Sequence, residues 1–303
     1  MSRTYRYRSF FWPAVLILVG VVALLVNTGQ LGVERLFLLV NLWPLILVVI
    51  GLELIVRRTV HGPSADIAAA VVIVLAIVGS AAYIAIAPGP SGNRTLDASG
   101  DVAGATEGSV EIDAGAAHIT INAGTGLGTK LFQAHIEYSG SKPNVRSENG
   151  AVTISQSTNS FLNFGNPRFV LKLDLNSDLP WKLEVNTGSA TNTINAQHVN
   201  VTGLTLNTGA SREDITLGAP KAIVPVEINS GAVTANIHRP SGTPTSVSVS
   251  GGVVNLTADG KSSHAIGEAN FETPGFSSAA AGYRVQINGG ACTVRLDSTP
   301  ASD

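Results

Sequence analysis

The sequence predicts a membrane α-helical anchor of three transmembrane helices followed by an all-β extracytoplasmic domain, a β-solenoid with coils of about 21 residues. Three observations predict it. Charged residues make up only 13% of the 303 residues, about half the ~25% share of an ordinary globular chain. Residues 10–87 are almost entirely apolar, whereas 88–303 are rich in Gly, Ser, Thr and Asn. Beyond residue 108 a six-residue unit recurs seven times.

The anchor rests on three apolar runs: Phe10–Val26, of 17 residues, and Leu36–Val56 and Ile67–Ala87, of 21 each. All fall within the ~17–25 residues that span a bilayer. A cleaved signal peptide accounts only for the first. Arg3, Arg6, Arg8, Arg57 and Arg58 flank one side of this anchor, against Arg35 and Arg94 on the other. That asymmetry puts the N-terminus in the cytoplasm and everything beyond Ala87 outside it. The localisation expected is a multi-pass protein of a plasma membrane. Up to Ala87 six bases face three acids, a net +3; beyond it thirteen bases face eighteen acids, a net −5. No basic stripe exists, so nucleic acid is not expected as a partner.

The first two runs resemble one another. Phe11-Trp12-Pro13 opens one, and Leu42-Trp43-Pro44 lies 31 residues later in the other; Gly20 and Gly51 follow their tryptophans by eight positions. Proline is at home in the first turn of a helix, and tryptophan at the headgroups. Pro44 either starts the second helix or kinks a longer one from Leu36. Glu53 is the one acid well inside an apolar run. It reads either as an interface residue beside Arg57 or, with Asn41, as a contact for a membrane partner. Asp66 suits the N-terminus of the third helix.

This Trp-Pro…Gly hairpin resembles the membrane region of LiaI/LiaF-like bacterial envelope-stress proteins over about residues 8–58. The resemblance implies a non-enzymatic protein that senses or regulates envelope stress through its hairpin, acting on a membrane-embedded sensor kinase or another envelope protein. The third helix departs from the simplest form of that pattern.

Residues 88–108 show no hydrophobic period and read as a flexible linker. The recurrent unit follows: aliphatic, any, aliphatic, Asn/Asp/Ser, any, Gly. It occurs as Val110-Glu-Ile112-Asp113-Ala-Gly115, Ile119-Thr-Ile121-Asn122-Ala-Gly124, Leu183-Glu-Val185-Asn186-Thr-Gly188 and Leu204-Thr-Leu206-Asn207-Thr-Gly209. Val226-Glu-Ile228-Asn229-Ser-Gly231, Val247-Ser-Val249-Ser250-Gly-Gly252 and Val285-Gln-Ile287-Asn288-Gly-Gly290 complete the series. Alternation buries one face of a short strand. Asn or Asp tolerates a left-handed conformation, and Gly is expected to supply the positive φ that turns the chain. Asn186, Asn207, Asn229 and Ser250 are 21, 22 and 21 residues apart, the mark of stacked coils. Stacking them would make a polar ladder. The 38 residues from Ser250 to Asn288 imply a coil with an insertion near Gly260–Gly282. Between Gly124 and Lys182 the period is lost, though Leu131–Tyr138, Ala151–Ser155 and Phe169–Leu175 still alternate.

These Asn-x-Gly strand ends resemble the adhesin-like, toast-rack β-domains that follow LiaF-type hairpins, over about 109–297. The expected organisation is a cytoplasmic segment 1–9, three helices in 10–87, a linker 88–108, a β-solenoid 109–297 and a disordered tail 298–303.

No catalytic, cofactor or metal site is expected. Gly124-Thr-Gly126-Leu-Gly128-Thr-Lys130 has Thr129 before its lysine and a strand after it, so it reads as a turn and not a phosphate loop. Gly275-Phe-Ser277-Ser-Ala279 lacks the last glycine of a nucleophile elbow. His118, His135, His198, His238 and His264 are scattered. Glu213-Asp214 and Asp174/Asp178 are the nearest approach to paired carboxylates. Cys292, the one cysteine, excludes an internal disulfide framework and reads as a core residue. Phe161, Phe164, Phe169 and Trp181 concentrate aromatics in the irregular segment, as a solenoid cap or a ligand face. The partners expected are the lipid bilayer and, through the hairpin, a membrane protein. The alternative is a surface adhesin or scaffold binding glycan or self-associating.

Overall fold

The computed structural model describes residues 94–157 and 168–299. The three apolar runs, Asn41, Glu53, Asp66, Phe161 and Phe164 lie outside the described residues. Asn93–Asp303 is a compact unit of its own. In chain order its strands are β1 (Arg94–Asp101), β2 (Gly108–Gly124), β3 (Lys130–Tyr138), β4 (Asn144–Glu148), β5 (Ala151–Ser155) and β6 (Phe169–Asn176). There follow β7 (Pro180–Ala196), β8 (Asn200–Leu217), β9 (Ile223–Pro240), β10 (Thr245–Ala258), β11 (Lys261–Glu272) and β12 (Gly282–Thr299).

The long strands are bent coils. In β7, Trp181, Leu183 and Val185 are buried, Gly188 and Ser189 are exposed, and Ala190, Asn192, Ile194 and Ala196 are buried. The inward positions change from odd to even across the two exposed residues. A strand does this when it bends there and continues around the same core. β8 and β9 bend at the matching places and stack on β7 in parallel, so that Asn186, Asn207 and Asn229 are in register. Stacking turns each inward position into an aliphatic row. Ile112, Val185, Leu206, Ile228, Ile287 and Val249 form one, all fully buried. Each contributes on the order of 1.5–3 kcal/mol of apolar burial.

The irregular segment supplies the coil beside β2 in two pieces. β5 pairs with the first arm of β2 and β6 with the second, both parallel. β3 then pairs antiparallel with β6, β1 with β3, and β4 with β5. Residues 94–101, read from sequence as linker, are therefore the edge strand β1. Its alternation (Leu96, Ala98, Gly100) is only half-buried and is obscured by the charges between. At the other end, Ser298 and Thr299, assigned to the tail, belong to β12.

Two further expectations are corrected. The strand stacked on β9 is β12, not β10; β10 pairs with the far side of β12, and β11 closes the end antiparallel to β10. The stretch around Gly260–Gly282 is therefore a hairpin strand plus the 3-10 turn Phe276–Ser278, which return the chain into the stack. The repeat glycines at the bends, moreover, do not have positive φ. Their cause is close approach. A Cβ at Gly188 would stand 2.8 Å from the Gly115 carbonyl oxygen, at Gly209 2.4 Å from that of Gly188, and at Gly231 2.7 Å from that of Gly209. Gly290 and Gly252 extend the row at 2.8 and 3.0 Å. Stacked bends bring backbone onto backbone, and only a residue without Cβ fits.

Candidate functional site

The Asn of the repeated unit faces outward and makes a side-chain ladder. Asn288 Nδ2 donates to Asn229 Oδ1 (3.0 Å), Asn229 Nδ2 to Asn207 Oδ1 (3.0 Å), Asn207 Nδ2 to Asn186 Oδ1 (2.9 Å) and Asn186 Nδ2 to Asp113 Oδ1 (3.0 Å). Every amide points the same way, and the chain ends on a carboxylate. The expected ladder is present with one change: Asn288 stands between Asn229 and Ser250. A shorter ladder, not foreseen from sequence, runs on the second arm from Asn195 to Asn122 (2.8 Å) to Asp174 (3.1 Å). Asn122 already occupied the repeat's Asn position, but Asn195 lies in the half of the coil outside the six-residue unit.

Direction makes the long ladder testable. Asn207→Asp keeps an acceptor for Asn229 but cannot donate to Asn186 when ionised, so it should destabilise by about 1–2 kcal/mol at neutral pH. Asp113→Asn retains the terminal acceptor and should change stability by less than about 0.5 kcal/mol. Urea unfolding of the two variants measures the difference; equal losses would mean that the ladder has no direction.

The paired carboxylates separate. Asp214 is exposed, while Glu213, one residue away on the opposite side of β8, is fully buried. In register, its row reads Ile119, Asn192, Glu213, Ala235, Val294, Leu256. Asn192 Nδ2 donates to Glu213 Oε1 (3.2 Å), leaving Asn192 Oδ1 and Glu213 Oε2 both buried without a partner. Protonation of the carboxyl would lower the cost of burying Oε2. Burial raises the Glu213 pKa above its ordinary 4.5, outweighing the Ser211 and Asn192 hydrogen bonds that lower it. The folded head thus holds this proton more tightly than the unfolded chain. Its contribution is complete below pH 4.5 and is lost as pH rises toward the folded pKa. Glu213→Gln, which carries its own donor, should flatten that dependence in thermal melts taken across the range.

The remaining candidates fall to structural positions. His238 Nδ1 bonds Asp297 Oδ1, and its Nε2 lies 3.6 Å from Asp214 Oδ1. His135 pairs with Asp97 and His264 with Asn255, both at 2.6 Å; His118 and His198 are exposed. The backbone N–H of Asp178 donates to Asn176 Oδ1. Among the described residues no group of three His, Cys, Asp or Glu has metal-binding spacing. Gly126 and Gly128 have φ of 73° and 57°, as a turn requires, and Lys130 opens β3. Cys292 is buried in the core, which raises its pKa and withholds the thiolate. Phe169 and Trp181 are buried too, so these two aromatics fill the core and present no ligand face.

Comparison with known proteins places this arrangement. Residues 11–89 match the LiaF transmembrane domain, and residues 88–238 match the N-terminal domain of toast_rack, DUF2154. A crystal structure from Clostridium sporogenes, assigned as a cell adhesion protein, is similar at 19% identity with a TM-score of 0.59. It covers 68% of this chain and 100% of its own. An assigned adhesin from Bacteroides fragilis shares 14% identity over 69% of this chain and 99% of its own, at a TM-score of 0.20. The first likeness shows the fold alone, and the second carries no argument. No curated protein matches the chain.

Proposed function

Starting from a LiaF-like membrane chain that bears a toast-rack domain, we propose that this protein is a non-enzymatic regulator of the cell envelope. In this reading three helices cross a bacterial plasma membrane, the N-terminus is cytoplasmic, and the β head lies outside. The hairpin, through its second run Leu36–Val56 with Glu53 and Asn41 on it, contacts a membrane-embedded sensor kinase or another envelope protein, and the head reports external conditions. The observation that carries the reading is the junction of two matches at residues 88–89: the match to the LiaF transmembrane domain runs directly into the match to the N-terminal domain of toast_rack. The polar groups of the head fit it, since amide ladders and a buried acid maintain a shape.

Photo-crosslinking residues along Leu36–Val56 in cells test it. The expected result is capture of a sensor kinase from positions on one helical face, with loss of capture on Glu53→Gln if that side chain makes the contact. Capture of lipid alone, or of this chain alone, overturns it. The alternative, an adhesin or scaffold that binds glycan or itself, is favoured by the cell-adhesion assignment of the Clostridium sporogenes structure. An adhesin keeps its activity when the hairpin is replaced by an unrelated anchor; a regulator loses it.

A further inference from the structure

Among the described residues β11 is one terminus of the sheet, twelve residues long, without proline and with a single lysine, at its first position. Its outer edge therefore presents backbone donors and acceptors that another strand can use, with little of the protection edge strands usually carry. Among the described residues, the only large apolar side chains left exposed are Ile266, at 91%, and Val253, at 55%. They are neighbours. Gly251 pairs with Gly267 and Val254 with Ala265, so the bulge between them leaves Gly252 and Val253 opposite Ile266 at the bend of the terminal coil. Among the described residues of the head no other is comparable, and these two lie across one bulge beside the sheet edge.

We propose that the β11 edge is an interface between two copies of this chain, joined antiparallel about a two-fold axis at Ile266. The occupant follows from charge. A two-fold at Ile266 places His264 of each copy opposite Glu268 of the other, and Ile266 opposite itself. In-register parallel pairing would instead set Glu268 against Glu268 and Glu272 against Glu272, which repel. The strand is thus complementary to its own reverse, as an isologous interface requires. Its outer-face side chains are also held in place: His264 Nδ1 is bonded to Asn255, and Glu268 Oε1 accepts from Ser248 (3.1 Å) and Asn270 (2.9 Å). His264 Nε2 and Glu268 Oε2 remain for the other copy, and they bond as imidazolium to carboxylate, since Nδ1 already donates to Asn255 Oδ1. The two bends match under the same rotation, because reversing the chain exchanges one arm for the other and leaves the vertex in place.

The test uses the full chain in native membranes, with Ile266→Cys and, on the opposite edge, Thr95→Cys. Antiparallel partners directly opposite have Cα atoms about 4.5–5.5 Å apart, inside the ~4.4–6.8 Å that a disulfide spans. Mild oxidation should link I266C chains into dimers and leave T95C chains single; Cys292 is buried in both. With the experiment run at a pH that keeps His264 an imidazolium, adding Glu268→Lys should abolish the dimer, since an ammonium then faces that cation, and adding His264→Glu to that variant should restore it. The rescued chain shows that the loss was not unfolding. Equal linking at residues 95 and 266 overturns the proposal. So does linking that is indifferent to the charge of residue 268, or a native dimer by light scattering in detergent that persists with Glu268→Lys and does not link at residue 266. The proposal is independent of the regulatory reading: the hairpin can capture a kinase whether or not heads pair.

Discussion

Replacing Gly209 by alanine should destabilise the head by about 3 kcal/mol, the upper end of what overpacking a closed site normally costs. The new methyl would stand 2.4 Å from the carbonyl oxygen of Gly188, and that oxygen is backbone, locked in the neighbouring coil. No rotamer relieves the contact. Moving the coil apart would lengthen the parallel ladder between β7 and β8 and carry Asn207 away from Asn186. Gly203, six residues earlier in the same strand, is the control. A Cβ there meets only Lys182 Cγ at 3.7 Å and Pro225 Cγ at 3.9 Å, which is ordinary contact. Gly203→Ala should be neutral or stabilising by about 0.5–1 kcal/mol, because it reduces the freedom of the unfolded chain. Urea midpoints for residues 93–303 measure both. Equal effects would show that the bend has room for a side chain.

Trp181→Ala should cost more, about 3–5 kcal/mol. The indole is fully buried and its Nε1 donates to the carbonyl oxygen of Asn176 at 2.7 Å. Its ring fills the space over Gly108, where a Cβ would lie 2.5 Å from it. Truncation leaves a cavity and orphans the Asn176 oxygen together. Asn176 also ties the preceding turn, with Nδ2 donating to Lys130 O at 2.9 Å, so the loss should spread to the contact of β3 and β6. Trp181→Phe keeps most of the volume and should lose only about 1–3 kcal/mol, the cost of an unpaired buried acceptor. Trp12 and Trp43 lie in the apolar runs, so Trp181 is the only tryptophan of residues 93–303. Circular dichroism therefore has to replace fluorescence as the probe. Similar losses for Ala and Phe would assign the energy to the hydrogen bond and not to packing.

The coils are legible in the sequence because their cause is local. The alternation within a coil does not need its neighbours to be recognised: Leu183, Val185 and Asn186 state their inward and outward positions in four residues, and the 21-residue spacing states the stack. Glu213 is legible as well once its phase is followed, since Ser211, Ile215 and Leu217 put it on the inward side of β8. Taking it with Asp214 as the nearest approach to paired carboxylates ignores the period of two, which sends adjacent side chains to opposite faces. Other features depend on partners far away in sequence. The bend glycines look the same whether they serve positive φ or close approach, and only the stacked carbonyls distinguish these. The order of β10 and β12 is hidden for a similar reason. Val247–Gly252 and Val285–Gly290 carry one pattern and fit the same slot; what assigns the slot is the antiparallel hairpin of β10 with β11. β1 lacks a sufficiently apolar face to be seen at all.

The position of β12 has a kinetic consequence. Its two edges are occupied by strands that precede it in the chain, β9 from residue 223 and β10 from residue 245. A head emerging from its N-terminal end can therefore assemble coil upon coil as far as β9, then must hold the β10–β11 hairpin in waiting. Until residues 282–299 arrive, that hairpin has no bond to the stack through β12, and β9 keeps an open parallel edge. Pairings so distant in sequence close slowly. Limited proteolysis should accordingly cut β10 and β11 in chains that end before residue 282 and spare them in chains that include β12, which docks on both sides at once.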